Sequence, residues 1–218
     1  MKRYNVIDLF CGCGGFSKGF QQAGFDIRFG IDMWKDAIVT YKHNFPSAVV
    51  LNEDIINISG DDILNKTGMK KDEVDVIIGG PPCQGFSVSG KRMIDDERNK
   101  LYKSFVGLVS ELKPKVFVME NVPGLVRLFK GQVAEQVIED FTSVGYKVKM
   151  KILSADNYGV PQQRKRVFFI GLNENVFGDK VDYEYPAPFM GTGTDTPAWT
   201  CKDAIGDLDF VREDRSLG

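Results

Sequence analysis

The sequence predicts an α/β fold in which helices cover both faces of a doubly wound, mostly parallel sheet. Short apolar runs rich in Val, Ile and Phe lack a clean alternation of apolar and polar residues, which is typical of strands buried on both faces. These runs alternate with amphipathic stretches along most of the chain. Strand–helix alternation of this kind indicates a mostly parallel, doubly wound sheet.

The predicted elements follow one another with short connections. Glycines in the segment Phe10–Gly15 allow a tight turn from the first strand into the first helix. Thr200, with Asp203 three residues later, is suited to cap a short last helix running to about Leu208. The predicted strands are Asn5–Phe10, Ile27–Ile31, Ala48–Leu51, Val74–Ile78, Lys115–Glu120, Lys147–Leu153 and Val167–Leu172. The predicted helices are Gly15–Ala23, Trp34–Asn44, Leu101–Leu112 and Val133–Val144.

The composition changes near residue 179. The chain of 218 residues is long enough for one sizeable core and a small appendage. We expect residues 1–178 to form the main domain, because they carry every predicted strand. Residues 179–218 are expected to form a linker and a short helix, since prolines and glycines punctuate Tyr183–Trp199.

The charge does not indicate a nucleic-acid-binding protein. The net charge is −2, whereas a strongly basic face is the usual footprint of such proteins. Local basic clusters occur, and the alternative interpretation of each is a solvated surface. These clusters are Lys91 with Arg92, then Arg98, Lys100 and Lys103, and finally Arg164, Lys165 and Arg166.

Membrane, metal and disulfide functions are not expected. No run approaches the roughly 20 apolar residues that span a bilayer, and the N-terminus lacks a signal-peptide layout. We therefore expect an intracellular, cytoplasmic protein. The four cysteines and one histidine do not form the paired ligands of a zinc site, and a chain of this type is expected to keep its cysteines reduced.

Polar or glycine-rich segments follow five successive predicted strands. Right-handed crossovers bring the loops after parallel strands to one edge of the sheet, where ligands of such folds bind. These segments are Phe10–Gly15, Asp32, Asp54, Gly79–Ser89 and Glu120-Asn121-Val122. Asp32 is where nucleotide-binding sheets place an acid for ribose hydroxyls. Its alternative role is a helix N-cap, and the two roles are compatible.

Cys83 is the candidate nucleophile. It stands in Pro81-Pro82-Cys83-Gln84, where two prolines fix the backbone ahead of the thiol. A reactive cysteine needs a partly exposed setting that favours the thiolate, and the alternative is a small buried apolar residue. The polar stretch that continues to Asn99 is suited to act as a lid.

Two further groups are candidates for the same site. Glu120 ends an apolar strand, where a carboxylate is costly unless it faces a site or is paired. It is suited to protonate a ring nitrogen, and the alternative is a salt bridge. Arg164 and Arg166 share a face of an extended segment and are suited to hold phosphate or a base carbonyl. The alternative interpretation of these two arginines is that they lie at a solvated strand end.

Together these segments resemble the DNA (cytosine-5)-methyltransferase family of bacterial type, in order and spacing from about Asn5 to Leu172. The resemblance rests on four motifs in the family's order. They are Phe10-x-Gly12-x-Gly14-Gly15, Pro81-Pro82-Cys83-Gln84, Glu120-Asn121-Val122 and Gln163-x-Lys165-Arg166.

The resemblance implies the Rossmann-like fold of methyltransferases that use S-adenosylmethionine, with S-adenosylhomocysteine as product. Asp32 would bind the ribose, although the family commonly has Glu at this position. Met33 would pack on the adenine. The implied cofactor-binding residues are Phe10, Cys11, Gly12, Cys13, Gly14, Gly15, Asp32, Met33, Asp54, Ile55, Pro81 and Leu101.

The resemblance also implies a covalent mechanism on double-stranded DNA. The Cys83 thiolate would add to carbon 6 of a flipped-out cytosine and activate carbon 5 for methylation. Glu120 would protonate N3, and Arg166, with Arg164 nearby, would hold O2. The implied substrate-binding residues are Gln84, Ser87, Ser89 and Asn121.

The sequence departs from the family where a target-recognition region would begin. We therefore expect either a truncated chain or one subunit of a split enzyme, with a second chain or a missing part supplying recognition. Membership of a restriction–modification pair stays open. Two alternatives also stay open: a related enzyme acting on RNA, and a non-catalytic cofactor-binding or DNA-binding regulatory module.

Overall fold

Seven strands form one sheet in the computed structural model, which describes residues 3–82, 99–178 and 180–208. They are β1 (Asn5–Leu9), β2 (Asp26–Asp32), β3 (Val49–Asn52), β4 (Val76–Gly79), β5 (Val116–Asn121), β6 (Tyr146–Ser154) and β7 (Lys165–Asn173). Their order is β3-β2-β1-β4-β5-β7-β6. The first five strands pair in parallel, and β7 runs antiparallel to β5. The predicted α/β fold with a mostly parallel sheet is confirmed.

The helices agree with the sequence pattern at every predicted position. The helices are α1 (Gly15–Gln22), α2 (Lys35–Asn44), α3 (Gly60–Thr67), α4 (Lys100–Leu112), α5 (Gly124–Arg127), α6 (Gln132–Ser143), α7 (Glu174–Phe177) and α8 (Cys201–Ile205). The four predicted helices of the main domain, α1, α2, α4 and α6, begin and end within one residue of their expected bounds.

Helix α3 was not predicted. Ser59 caps it in a capping box with Asp62, whose backbone N–H donates to Ser59 Oγ at 3.2 Å. The helix has only eight residues and buries Ile63 as its main apolar side chain. The apolar side chains of this helix, Ile63 and Leu64, are adjacent and show no helical periodicity, so its capping box is the signal that indicates it.

Two apolar clusters lie on opposite faces of the sheet. Val6 packs with Ile38 of α2 on one face, whereas Ile7 and Leu9 pack with Phe105 of α4 on the other. Alternate residues of β1 therefore enter different clusters. This two-sided burial explains why the strand sequences are continuously apolar.

A close approach between β1 and β4 fixes the centre of the sheet. Leu9 is in register with Gly79. A Cβ at Gly79 would lie 2.2 Å from the Leu9 carbonyl oxygen and 2.8 Å from Phe105 Cε2. Only glycine fits here, and the loops that follow the two strands consequently begin side by side.

A buried chain of polar groups joins β1, α1 and α2. Ser17 Oγ donates to Asp8 Oδ2 at 2.5 Å and lies 2.7 Å from the Tyr41 hydroxyl oxygen. Asp8 is 1% exposed, and its Oδ1 has no hydrogen-bond partner within the described part of the chain. Burial raises the pKa of Asp8 to about 7, because desolvation disfavours the carboxylate. We name Tyr41, Ser17 and Asp8 the hydroxyl chain.

The chain divides into two compact units. Residues 1–151 and 167–182 belong to the first, and residues 152–166 and 183–218 belong to the second. Residues 183–199, all of them described, contain no helix or strand, as their prolines and glycines predicted. Thr200 caps α8 in a capping box with Asp203, also as predicted.

No helix in the described residues is long and apolar enough to cross a membrane.

We predict that Gly79→Ala destabilises the protein by about 3 kcal/mol, because the added methyl group would overlap backbone and a core ring. Gly107→Ala is the matched control. Gly107 lies inside α4, and a Cβ there would have no atom within 4 Å, so alanine should stabilise the helix by about 1 kcal/mol. Urea denaturation of the two variants measures both effects, and equal stabilities would contradict the close approach.

We also predict a pH-dependent effect of Asp8→Asn. A carboxyl group with a raised pKa stabilises the fold most at acidic pH, and this contribution is lost as the pH rises through about 7. The stability of the wild type relative to Asp8→Asn should therefore fall by roughly 2 kcal/mol between pH 5 and pH 8. Denaturation series at both pH values measure this difference. Parallel pH profiles would show that Asp8 ionises normally.

Candidate active site at the carboxyl edge of the sheet

A cavity of about 280 Å³ opens at the carboxyl edge of the sheet, within the first unit. Its walls come from the ends of the first four strands and from the start of α4. The lining residues are Phe10, Ile31, Asp32, Met33, Glu53, Asp54, Ile55, Gly80, Pro82 and Leu101. This is the edge at which doubly wound sheets bind their ligands.

Six residues that the sequence singled out as cofactor-binding line this cavity together. They are Phe10, Asp32, Met33, Asp54, Ile55 and Leu101. Four further residues line it: Gly80 and Pro82 belong to the segment Gly79–Ser89 that the sequence placed at this edge, whereas Ile31 and Glu53 were not indicated. Ile31 and Glu53 directly precede Asp32 and Asp54, so the ends of the strands are the signal that could have found them. Pro81 was expected to line the pocket, but the lining residue in the structure is its neighbour Pro82.

Asp32 anchors the loops on either side of it. Its Oδ2 accepts a hydrogen bond from Gly12 N at 2.9 Å, and its Oδ1 accepts one from Trp34 N at 2.9 Å. The same carboxylate therefore ties the loop after β1 to the start of α2. Each oxygen keeps a further lone pair that can accept a hydrogen bond from a ligand.

The Phe10–Gly15 loop has an unusual backbone. Phe10, Gly12 and Gly14 all have positive φ angles, of 66°, 49° and 93°. Only glycine adopts this region without strain, so Phe10 is strained beside the cavity that it lines. A Cβ at Gly14 would lie 2.4 Å from Phe45 Cε2, and α2 therefore packs directly against the loop.

Of the loop residues, Phe10 is the one that lines the cavity. Cys11 is buried, and its backbone N–H donates to Ile31 O at 3.0 Å. Burial raises the pKa of the Cys11 thiol above its usual range, which keeps it protonated and unreactive. Cofactor contacts of Cys11, Gly12, Cys13, Gly14 and Gly15 stay predictions.

Glu120 and the segment after β4 lie together. A Cβ at Gly80 would be 3.4 Å from Glu120 Oε2, so this carboxylate stands beside the glycine that lines the cavity. Asn121 is 6% exposed, and its Nδ2 donates to the Pro81 carbonyl oxygen at 2.8 Å. Its Oδ1 accepts from Val122 N at 2.9 Å. Asn121 thus holds Pro81 in place, and its expected contact with substrate stays a prediction.

Other predicted site residues lie elsewhere. Cys83, Gln84, Ser87 and Ser89 fall outside the described residues. Arg164 and Arg166 belong to the second unit. There Arg166 Nη1 donates to the Lys165 carbonyl oxygen at 2.8 Å.

The charge of the cavity is one-sided. Asp32, Glu53 and Asp54 are acidic, and the lining contains no basic side chain among the residues that the structure describes. Such walls repel phosphates and favour a ligand that is neutral or positively charged. The cavity therefore differs from a dinucleotide site, in which a pyrophosphate sits at the glycine-rich loop.

Metal ligands and disulfides do not contribute to the site within the described ranges. No group of three or more His, Cys, Asp or Glu side chains there could hold a metal ion. Cys11, Cys13 and Cys201 are all free thiols.

Comparisons with known proteins identify the family of this chain. The profile of the C-5 cytosine-specific DNA methylase family matches residues 4–202. The type II methyltransferase M.AgeI of Thalassovita gelatinovora is 39% identical over 93% of this chain and 50% of its own length. M.XorII of Xanthomonas oryzae is 41% identical over 95% of this chain and 47% of its own length.

A solved structure shows the same fold. It is that of an E. coli prophage-encoded protein assigned as a DNA modification methyltransferase, and it superposes with a TM-score of 0.74. The identity is 36%, over 93% of this chain and 54% of that chain. The chain thus spans about half the length of the curated relatives it matches. Since the family profile matches nearly all of its sequence, the protein belongs to the C-5 cytosine-specific DNA methylase family.

Proposed function

We propose that this chain carries the cofactor-binding and catalytic part of an enzyme that methylates carbon 5 of cytosine in DNA. The observation that carries this proposal is the cavity at the carboxyl edge. Asp32, at the end of β2, lines this cavity, and so does Gly80. The carboxylate of Glu120 lies beside Gly80, which is close in sequence to Cys83. Family membership supports the reaction class.

We propose S-adenosylmethionine as the ligand of this cavity. Its volume of about 280 Å³ is near the lower limit of small-molecule sites. Asp32 would accept hydrogen bonds from the ribose hydroxyls, and the side chains of Met33 and Ile55 would contact the adenine. Because the walls are acidic, they suit the positively charged sulfonium. When bound, this cofactor would supply the methyl group to carbon 5.

Cys83 is the proposed nucleophile. Carbon 5 of cytosine is itself a poor nucleophile, and addition of the thiolate to carbon 6 makes it an enamine-like carbon. Glu120 would protonate or hydrogen-bond N3, so that negative charge does not build up on the ring. After methylation a base removes the proton from carbon 5, and the Cys83–carbon 6 bond breaks.

Asn121 would position the nucleophile. Its amide holds the Pro81 carbonyl at 2.8 Å, two residues before Cys83, and the two prolines restrict the backbone between them. Loss of the amide would therefore misplace the thiol without removing any reacting group.

The DNA would be gripped by residues outside this cavity. The target cytosine must leave the duplex at a cost of a few kcal/mol. Gln84, Ser87 and Ser89 would contact the flipped nucleotide, and Arg166, with Arg164 nearby, would hold the O2 carbonyl. Because the chain spans about half of its relatives, we propose that further protein, in the same chain or a second one, recognises the target sequence.

Covalent trapping tests the proposed function. Duplex DNA carrying 5-fluorocytosine blocks the elimination step, so an adduct at Cys83 should accumulate with S-adenosylmethionine and should be absent in Cys83→Ala. The chain should be assayed alone and with candidate partner chains, and tRNA carrying 5-fluorocytosine should serve as a second substrate. If an adduct formed with tRNA and not with DNA, the substrate would be RNA. Undiminished methyl transfer by Cys83→Ala would show that Cys83 is not the nucleophile.

We predict that Asp32→Asn weakens binding of S-adenosylhomocysteine by about 10- to 100-fold, since hydrogen bonds to a charged group are the stronger ones. Asp36→Asn is the matched control, because Asp36 lies in the first turn of α2 and is exposed. Isothermal titration calorimetry measures both affinities. Equal affinities of the two variants would show that Asp32 does not bind the cofactor.

A further inference from the structure

We infer that the hydroxyl chain Tyr41–Ser17–Asp8 positions the Phe10–Gly15 loop for cofactor binding, although none of its three members is among the residues lining the cavity. This inference rests on the proposed function, because it names residues that act on the cofactor through the loop. The three residues come from α2, α1 and β1, and their contact lies directly under the loop that joins β1 to α1.

The hydrogen bonds of the chain run in one direction when Asp8 is ionised. Ser17 has a single hydroxyl proton, which it donates to Asp8 Oδ2 at 2.5 Å. When Asp8 is ionised, the bond of 2.7 Å between Ser17 and Tyr41 therefore uses the tyrosine proton. Tyr41 donates to Ser17, and Ser17 donates to Asp8. Removing the Tyr41 hydroxyl leaves Ser17 without its donor and weakens its bond to Asp8.

The Tyr41 ring is wedged between the loop and the sheet. A Cβ at Gly14 would lie 3.0 Å from Tyr41 Cδ2, and one at Gly30 would lie 2.6 Å from Tyr41 Cε1. The ring consequently contacts the last turn of the loop on one side and β2 on the other. Because its hydroxyl is held by Ser17, any shift of the ring is transmitted to Gly14, the N-cap of α1.

A second polar contact fixes the same loop from α2. Asn44 Nδ2 donates to the Cys13 carbonyl oxygen at 3.0 Å, one turn of helix after Tyr41. With the bond from Gly12 to Asp32, the loop is held at successive residues. Unlike these two contacts, the hydroxyl chain is fully buried, as Ser17 and Tyr41 are both 0% exposed. It is therefore the contact that solvent cannot replace.

Burial of Asp8 is unfavourable for stability. The groups that face it are the acid Asp32, the thiol of Cys11 and the phenol of Tyr41, and none of them carries a positive charge. Its Oδ1 has no partner in the described residues. A buried polar group of this kind destabilises a fold relative to an apolar one, and specifying a conformation is a reason for a protein to keep it. The conformation specified here is that of the cofactor loop.

Tyr41→Phe tests the inference. It keeps the ring and removes the hydroxyl, so the loop should loosen while the fold persists. We expect about three- to ten-fold weaker binding of S-adenosylhomocysteine and faster hydrogen–deuterium exchange in residues 10–15. Tyr146→Phe is the matched control: Tyr146 is also 0% exposed and donates to the Pro114 carbonyl oxygen at 2.8 Å. These residues lie at the starts of β6 and β5, away from the cavity, so affinity and loop exchange should stay unchanged.

Ser17→Ala provides an independent test if Tyr41→Phe fails to fold. It should weaken binding to a similar extent. The double variant should bind no more weakly than about the worse single variant, because the two bonds form one chain. Additive losses, or equal losses in Tyr146→Phe, would show a general effect of lower stability and overturn the inference.

The two readouts separate this inference from the proposed function. If the wild type binds S-adenosylhomocysteine and Tyr41→Phe changes neither affinity nor loop exchange, the positioning role is wrong and the proposed function stands. If the wild type does not bind it but Tyr41→Phe speeds exchange in residues 10–15 alone, the hydroxyl chain holds the loop and the proposed cofactor is wrong.

Discussion

The contact between Leu9 and Gly79 is the constraint on which the site depends. The Leu9 carbonyl occupies the space that a side chain at Gly79 would need. The backbones of β1 and β4 are therefore in direct contact at their carboxyl ends. The glycine-rich loop after β1 and the Gly80-Pro81-Pro82 segment after β4 then start next to each other. A larger residue at position 79 would part the strands and separate the residues that line the cavity.

Polar groups accumulate at this edge in a way that packing alone does not explain. Both carboxylate oxygens of Asp32 accept hydrogen bonds from backbone N–H groups. Asp8 is buried, and one of its oxygens has no partner in the described residues. Phe10 has a left-handed backbone conformation. The burial of Asp8 and the backbone conformation of Phe10 are each unfavourable for stability when considered alone. Their concentration around one cavity indicates that this edge is organised for ligand binding, and the rest of the sheet supplies the apolar burial that offsets them.

The rule that ligands bind at the carboxyl ends of parallel strands predicted much of this site. Strand positions were readable from apolar runs, so residues directly after them, such as Asp32 and Asp54, were identified from the sequence. The hydroxyl chain was not, because Asp8, Ser17 and Tyr41 are joined only by the packing of α1 and α2 on the sheet. The left-handed conformation of Phe10 was equally invisible, since nothing in the residue type indicates a positive φ angle. Glu53 was not predicted to line the cavity, because the neighbouring carboxylate of Asp54 already accounted for an acidic group at this position.

A crystal structure of the protein with S-adenosylhomocysteine would show whether the cavity is the cofactor site. We expect the adenosine between Met33 and Ile55 in the cavity, with the ribose hydroxyls within hydrogen-bond distance of the Asp32 carboxylate. Asp32 should keep its bonds to Gly12 and Trp34, and the Phe10–Gly15 loop should keep its positive φ angles. A ligand bound at another surface, or a cavity into which Phe10 moves instead of the nucleoside, would contradict this assignment.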